Sequence, residues 1–165
     1  MKKKESSEDV ITRLNIDSDR MLPHDLDSET FLLEACFCPG GISKVAKLIT
    51  PDDFYSEGGK LILSKMMKFH QSGRGFTPYL IDQSFLGHQH YDCIRRILDT
   101  LVPVTAESAT HFAKIVRQLS IRRQMIRAAY TAYESLYDPS TSLEQFAGLF
   151  EKSTNVRVGK QGSVK

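Results

Sequence analysis

The run from Thr105 to Tyr137 constrains this chain more than any other stretch, because apolar side chains return every three or four residues without a glycine or proline between them. Phe112, Ile115, Val116, Leu119, Ile126, Ala129, Tyr133 and Leu136 hold that spacing, which is one face of an α-helix. About 33 residues at 1.5 Å each make a rod of about 50 Å, longer than a small globule needs. Such a helix is expected to leave a compact body and to pack on a hairpin partner or on another chain. Pro139 cannot continue it. Ser142 can cap a last helix in "SLEQFAGLFEK", with Leu143, Phe146, Ala147 and Phe150 on one face.

The earlier part of the chain divides into shorter pieces of the same kind. "LPHDLDSE" offers Asp25 or Asp27 as the cap of a first helix, with Phe31, Leu32, Ala35 and Cys36 at helical spacing, and "CPGG" ends it. "ISKVAKLI" reads as a short amphipathic helix on Ile42, Val45, Ala46 and Ile49. "TPDDFY" is a capped turn whose acids suit a helix N-terminus, with Phe54 and Tyr55 expected to anchor it to the core. Gly58 and Gly59 stand where a close backbone approach or a bend begins the next helix. Leu61, Ile62, Lys65, Met66 and Phe69 then make its stripe, and Gly73 is placed to end it. "TPYLIDQSFLG" and "YDCIRRILDTL" are two more short helices. No segment alternates with period two, so the expected class is all-α: a small helical bundle as head, followed by a long helical hairpin.

Few residues invite chemistry. "GGKLILSK" and "GKQGSVK" each lack parts of a phosphate-binding loop, which needs further glycines after a strand and a hydroxyl after the lysine. His88, His90 and Cys93, with His24, Cys36 and Cys38 elsewhere, lack the paired short spacings of a zinc site, and Cys36 sits on an apolar face where a nucleophile would be inert. Glu29 and Glu34 flank the first helix without a second carboxylate pair. Arg122, Arg123 and Arg127 beside Tyr130, Tyr133 and Tyr137 could form a strip for single-stranded nucleic acid. The net charge of +2 favours a protein interface there instead. The expectation is no catalytic residue, no metal, no cofactor and no enzyme activity in this chain. "MKKKESSED" is not followed by an apolar signal segment, and no stretch is long enough to span a bilayer, so a cytoplasmic setting is expected.

In order and separation, four pieces resemble the N-terminal domain of bacterial replicative helicases of the DnaB type. They are "LPHDLDSE" (22–29), "LITPDDFYSEGGKLIL" (48–63), "FHQSGRGFTPYLI" (69–81) and "TAESATHFAKIVRQLSIRRQMIRAA" (105–129). Leu22, Pro23, His24 and Glu29 match the first family motif. Asp53, Phe54 and Tyr55 match the second; Phe112, Ala113, Val116 and Arg123 match the third. Gly59 stands where the family commonly has His, Phe112 replaces a Tyr, "FTPYL" departs from the family's Pro-Ile-Asp-Leu, and the segment around "HQHYDC" is short. The resemblance implies a non-catalytic collar whose hairpins pair into dimers, three of which crown a hexameric ring and receive primase or a helicase loader, with DNA touched only indirectly. The family's motor domain is missing from these 165 residues, which leaves a fragment of a helicase or a stand-alone adaptor or inhibitor as alternatives. The expected organisation is a flexible arm over 1–20, a head over 21–103, a hairpin over 104–155 and a tail or linker over 156–165. Ile121, Arg122, Ile126, Tyr130 and Tyr133 are the expected protein-interface residues.

Overall fold

A computed structural model describes residues 21–154 of the chain, and side chains as far as Glu151. The arm expected over 1–20 and the tail over 156–165 lie outside the described residues. Among those described there are only helices, turns and loops, with no strand. The elements are α1 (Leu26–Phe37), α2 (Gly41–Val45), a 3-10 turn (Pro51–Asp53), α3 (Glu57–Gln71), α4 (Pro78–Gln83), α5 (Tyr91–Asp99), a second 3-10 turn (Ala106–Ser108), α6 (Ala109–Tyr137) and α7 (Leu143–Thr154). The protein is all-α, and it falls into two compact units.

The first unit, His24–Ser120, is the head. Its core draws Leu32, Leu33, Ala35 and Cys36 from α1, Ile42, Val45 and Ile49 from around α2, and Ile62, Leu63 and Met66 from α3. Phe54, Ile81, Phe85 and Ile94 complete it, together with Ala109, Ala113 and Val116 from the first turns of α6. Each large side chain withdrawn from water here contributes about 1.5–3 kcal/mol. Residues 104–120, which the sequence assigns to the hairpin, thus pack in the head instead. The inward side chains of α6 are small, so its backbone can come close, and alanines add little to an apolar stripe read from sequence.

Caps fix the ends of the head helices. Asp25 Oδ1 accepts from Ser28 N at 3.0 Å at the start of α1, and Thr77 Oγ1 accepts from Leu80 N at 3.2 Å at the start of α4. Gly73 has φ of 70°, and the bonds Gly73 N to His70 O (3.0 Å) and Arg74 N to Phe69 O (2.9 Å) close α3 in a Schellman turn. Of the close approach or bend expected at Gly58 and Gly59, the structure has the close approach. A Cβ at Gly59 would lie 2.5 Å from the Phe54 ring, and one at Gly58 would lie 2.7 Å from Ile97 Cδ1. Close approach to neighbouring side chains is what excludes a side chain at both positions.

Two buried carboxylates hold the turn between α2 and α3 in place. Asp53 Oδ2 accepts from Thr50 N at 2.8 Å, while Asp53 Oδ1 accepts from Arg117 Nη1 on α6. Glu29 of α1 accepts from Tyr55 N, from Ser56 N at 3.1 Å and from Ser56 Oγ at 2.6 Å. Phe54 is fully buried, as expected. Tyr55 is only half-buried, and its ring stacks on His24 with centroids 4.3 Å apart. Asp82 is the third buried acid; its Oδ2 accepts from Tyr91 Oη (3.3 Å) and Arg95 Nη1 (3.2 Å), joining α4 to α5.

The second unit comprises the later turns of α6 from Ile121, the turn at 138–142, α7 and, among described residues, 21–23. Arg123 is buried and donates from Nη1 to Pro23 O at 2.8 Å. Asp138 Oδ1 accepts from Ser140 N at 2.9 Å, which shapes the turn. Gln145 N donates to Ser142 Oγ at 3.2 Å and Ser142 N to Gln145 Oε1 at 3.1 Å, a reciprocal box that starts α7.

Candidate interaction surface

The later half of α6 keeps a run of mostly apolar side chains in water. About 100° separates successive residues of an α-helix. On that wheel Arg122, Met125, Ile126, Ala129, Tyr133, Leu136 and Tyr137 fall on one face, and every one of them is exposed. Ile126 keeps 44% of its surface in water and Tyr137 71%. The Tyr133 and Tyr137 rings sit 5.1 Å apart with hydroxyl oxygens at 3.1 Å, and the hydrogen bond between the two raises the Tyr133 phenol above its ordinary value. In α7, Leu143 is 82% exposed and Phe150 also faces water, stacked on Phe146 at 5.9 Å.

Of the five interface residues expected from sequence, this geometry gathers Arg122, Ile126 and Tyr133 on one exposed face. Ile121 and Tyr130 are half-buried and lie to its two sides. Met125, Leu136, Tyr137, Leu143 and Phe150 were not singled out for the interface, although Met125, Leu136 and Tyr137 stand one, three and four residues from Ile126 or Tyr133. That offset was the signal available. The arginine–tyrosine strip proposed for nucleic acid is incomplete, because Arg123 turns inward to the Pro23 carbonyl.

Nothing else in the described residues gathers reactive groups. Burial, with the Cys38 thiol beside it, pushes the Cys36 thiol up to about 12, so it stays protonated. Cys38 Sγ faces Val104 O at 3.3 Å, and His24 is occupied by Tyr55. His88 and His90 are neighbours, with ring centroids 5.6 Å apart and His90 N donating to His88 Nδ1 at 3.2 Å. Among the described residues no three His, Cys, Asp or Glu side chains are grouped to hold a metal ion. The "GGK" segment is the first turn of α3, its glycines packed against side chains instead of opening toward a phosphate; "GKQGSVK" lies outside the described residues. Among the described residues no helix is long and apolar enough to cross a membrane.

The family match covers the head and ends before the exposed α6 face begins. The sequence model of the DnaB-like helicase N terminal domain matches residues 21–118. The replicative DNA helicase DnaC of Bacillus subtilis is 25% identical over 142 residues, covering 82% of this chain and 31% of that protein. The replicative DNA helicase DnaB of Geobacillus stearothermophilus is 24% identical over 126 residues, covering 73% of this chain and 28% of that protein. The chain therefore spans less than a third of the length of these relatives. The N-terminal domain of DnaB helicase from Mycobacterium tuberculosis superposes with a TM-score of 0.65 at 17% identity, over 82% of this chain and 97% of that one, which shows a shared fold.

Proposed function

The chain belongs to the DnaB-like helicase N-terminal domain family, and we propose that it is a non-catalytic collar module of cytoplasmic DNA replication that works by self-association. The observation that carries this reading is the exposed apolar face of α6. Ile126, Tyr133, Leu136 and Tyr137 are kept in water at helical spacing, beside Leu143 and Phe150 of α7. Apolar groups so arranged gain by meeting a matching surface, and aromatic residues, Met and Arg are the side chains enriched where proteins meet. A second copy presents the same face, and a two-fold pair would bury each copy's face against the other. Pairs of this kind could build a ring, with primase or a helicase loader as further partners and DNA reached only through them.

Sedimentation equilibrium of the full chain tests the reading. The parent is expected to run above 18.7 kDa. Ile126→Asp is expected to weaken association at least a hundredfold, about 3 kcal/mol, because it puts a charge into a desolvated seam. Its helical signal should stay intact, since Ile126 contributes nothing to the head core. A parent that stays monomeric at high concentration would sink self-association. If that monomer instead formed a mixed complex with the N-terminal domain of a replicative helicase, the adaptor or inhibitor reading would take its place.

A further inference from the structure

The head carries a second set of exposed apolar side chains, and cations occur close to it along the chain. Tyr79 and Leu80 of α4 are 68% and 46% exposed, and Leu86, one turn beyond, is 58% exposed. Tyr79, Gln83 and Leu86 follow one another at helical spacing, while Ile81 and Asp82 on the opposite side of α4 are buried. Beside this patch, rings and cations interleave. Lys65 Nζ lies 5.7 Å from the Phe69 centroid and 5.6 Å from that of Phe85. Arg74 covers Phe69 at 5.3 Å, Phe76 stacks on Phe69 at 6.4 Å, and His88 meets Phe85 edge-on at 5.6 Å. Phe85 leads directly into Leu86, and Phe76 stands just before α4. Phe76 and Phe85, which neighbour the exposed apolar residues along the chain, thus carry or adjoin the rings that the cations meet.

The stretch of sequence that holds these residues is nearly one-signed. From Gly58 to Tyr91 the chain holds Lys65, Lys68 and Arg74, a Lys60 paired with Glu57 at 3.3 Å, and three histidines, against one acid, Asp82. That acid is buried and bonded to Arg95 and Tyr91, so it does not offset the cations at the surface. The preceding stretch, by contrast, carries Asp25, Asp27, Glu29, Glu34, Asp52, Asp53 and Glu57. The charge of the whole chain hides this division.

We propose that Tyr79, Leu80 and Leu86, flanked by Lys65, Arg74 and His88, dock an acidic amphipathic helix of a partner protein. Leucines flanked by cations suit a helix with an apolar stripe and acids beside it: the stripe covers the leucines and the acids meet Lys65 and Arg74. Bare nucleic acid fits less well, because base stacking uses aromatic faces and leaves Leu80 and Leu86 uncovered. This surface is independent of the α6 face, so either can fail without the other.

The test is an NMR titration of the isotope-labelled full chain. The probe is a synthetic helical peptide with leucines at helical spacing flanked by glutamates, raised to millimolar concentration. Saturable shifts are expected at Lys65, Arg74, Tyr79, Leu80, Leu86 and His88, weakened at least tenfold by the double substitution Leu80→Asp and Leu86→Asp, and weakened again by added salt. Both leucines face water, so that variant should keep its fold. No saturable shift, or an equal response to the peptide with lysines in place of glutamates, would overturn the proposal. Saturable shifts at the same residues with oligo-dT but not with the acidic peptide would overturn it too, in favour of nucleic acid.

Discussion

Leu32, Ile62 and Phe54 in the head and Ile126, Tyr133 and Leu143 in the second unit are comparable side chains, all on or beside helices. The first three are fully buried; the last three face water. The head has several helices to surround each apolar stripe, and its acids, glycines and core residues lock together. Among the described residues the second unit is 21–23, two helices and a turn, in which Arg123 and Ala132 are buried and several large apolar side chains stay outside. The head thus encloses a core of its own, whereas the proposed α6 face needs a partner to cover it. Substitutions in the head should change stability and spare association, and those on the α6 face should do the reverse.

The strongest way to press that contrast is Phe54→Ala. Phe54 is among the largest fully buried side chains, and its removal leaves a cavity worth about 3 kcal/mol. Urea unfolding followed by circular dichroism measures it. A loss below about 1 kcal/mol would mean that the head does not depend on its own core.

Glu29→Ala comes next. It strips the acceptor from Tyr55 N and Ser56 N, which lie 26 and 27 residues further along the chain, and should cost about 2 kcal/mol. Glu29→Gln keeps one accepting oxygen and should lose less. Equal losses would mean that packing of the side chain, not its hydrogen bonds, sets the cost.

Glu29 also marks where sequence reasoning stops. The helices, their order and their caps were legible, because Thr77 before Pro78, Gly73 and Ser142 act on backbone groups a few residues away. The resemblance placed Pro23, His24, Asp53 and Arg123 among the family's motifs but gave none of them a mechanical role. Glu29 serves backbone N–H groups, and Arg123 a carbonyl 100 residues away. No side-chain pattern encodes either. The two sides of α6 were blurred for another reason. Ala109 and Ala113 face the head and Ile126 and Tyr133 face water, so the larger apolar residues do not mark the buried side.

Asp25→Ala should cost about 1 kcal/mol at neutral pH, the ordinary worth of an N-cap. The Ser28 backbone and side-chain hydrogen bonds hold the Asp25 carboxyl below its usual 3.8. The folded state therefore favours the charged form. Its contribution is complete above the unfolded value and is lost as pH falls through the lower folded one. Parent and variant should converge in strong acid, as read from unfolding curves at several pH values. A gap that persisted unchanged there would assign the cost to something other than the carboxylate.

The smallest effect has the opposite sign. Gly148 lies within α7 with open space where a Cβ would stand, so Gly148→Ala should stabilise that helix by about 0.5 to 1 kcal/mol. At Gly59 the same methyl would meet the Phe54 ring and cost stability, because the head has no room left. Gly148 stands on the opposite side of α7 from Leu143 and Phe150. The substitution should therefore tighten the helix without touching the face proposed to meet a partner, and sedimentation should show unchanged association. If association weakened instead, α7 would be meeting its partner through the Gly148 side, and the exposed Leu143 and Phe150 would belong to some other contact.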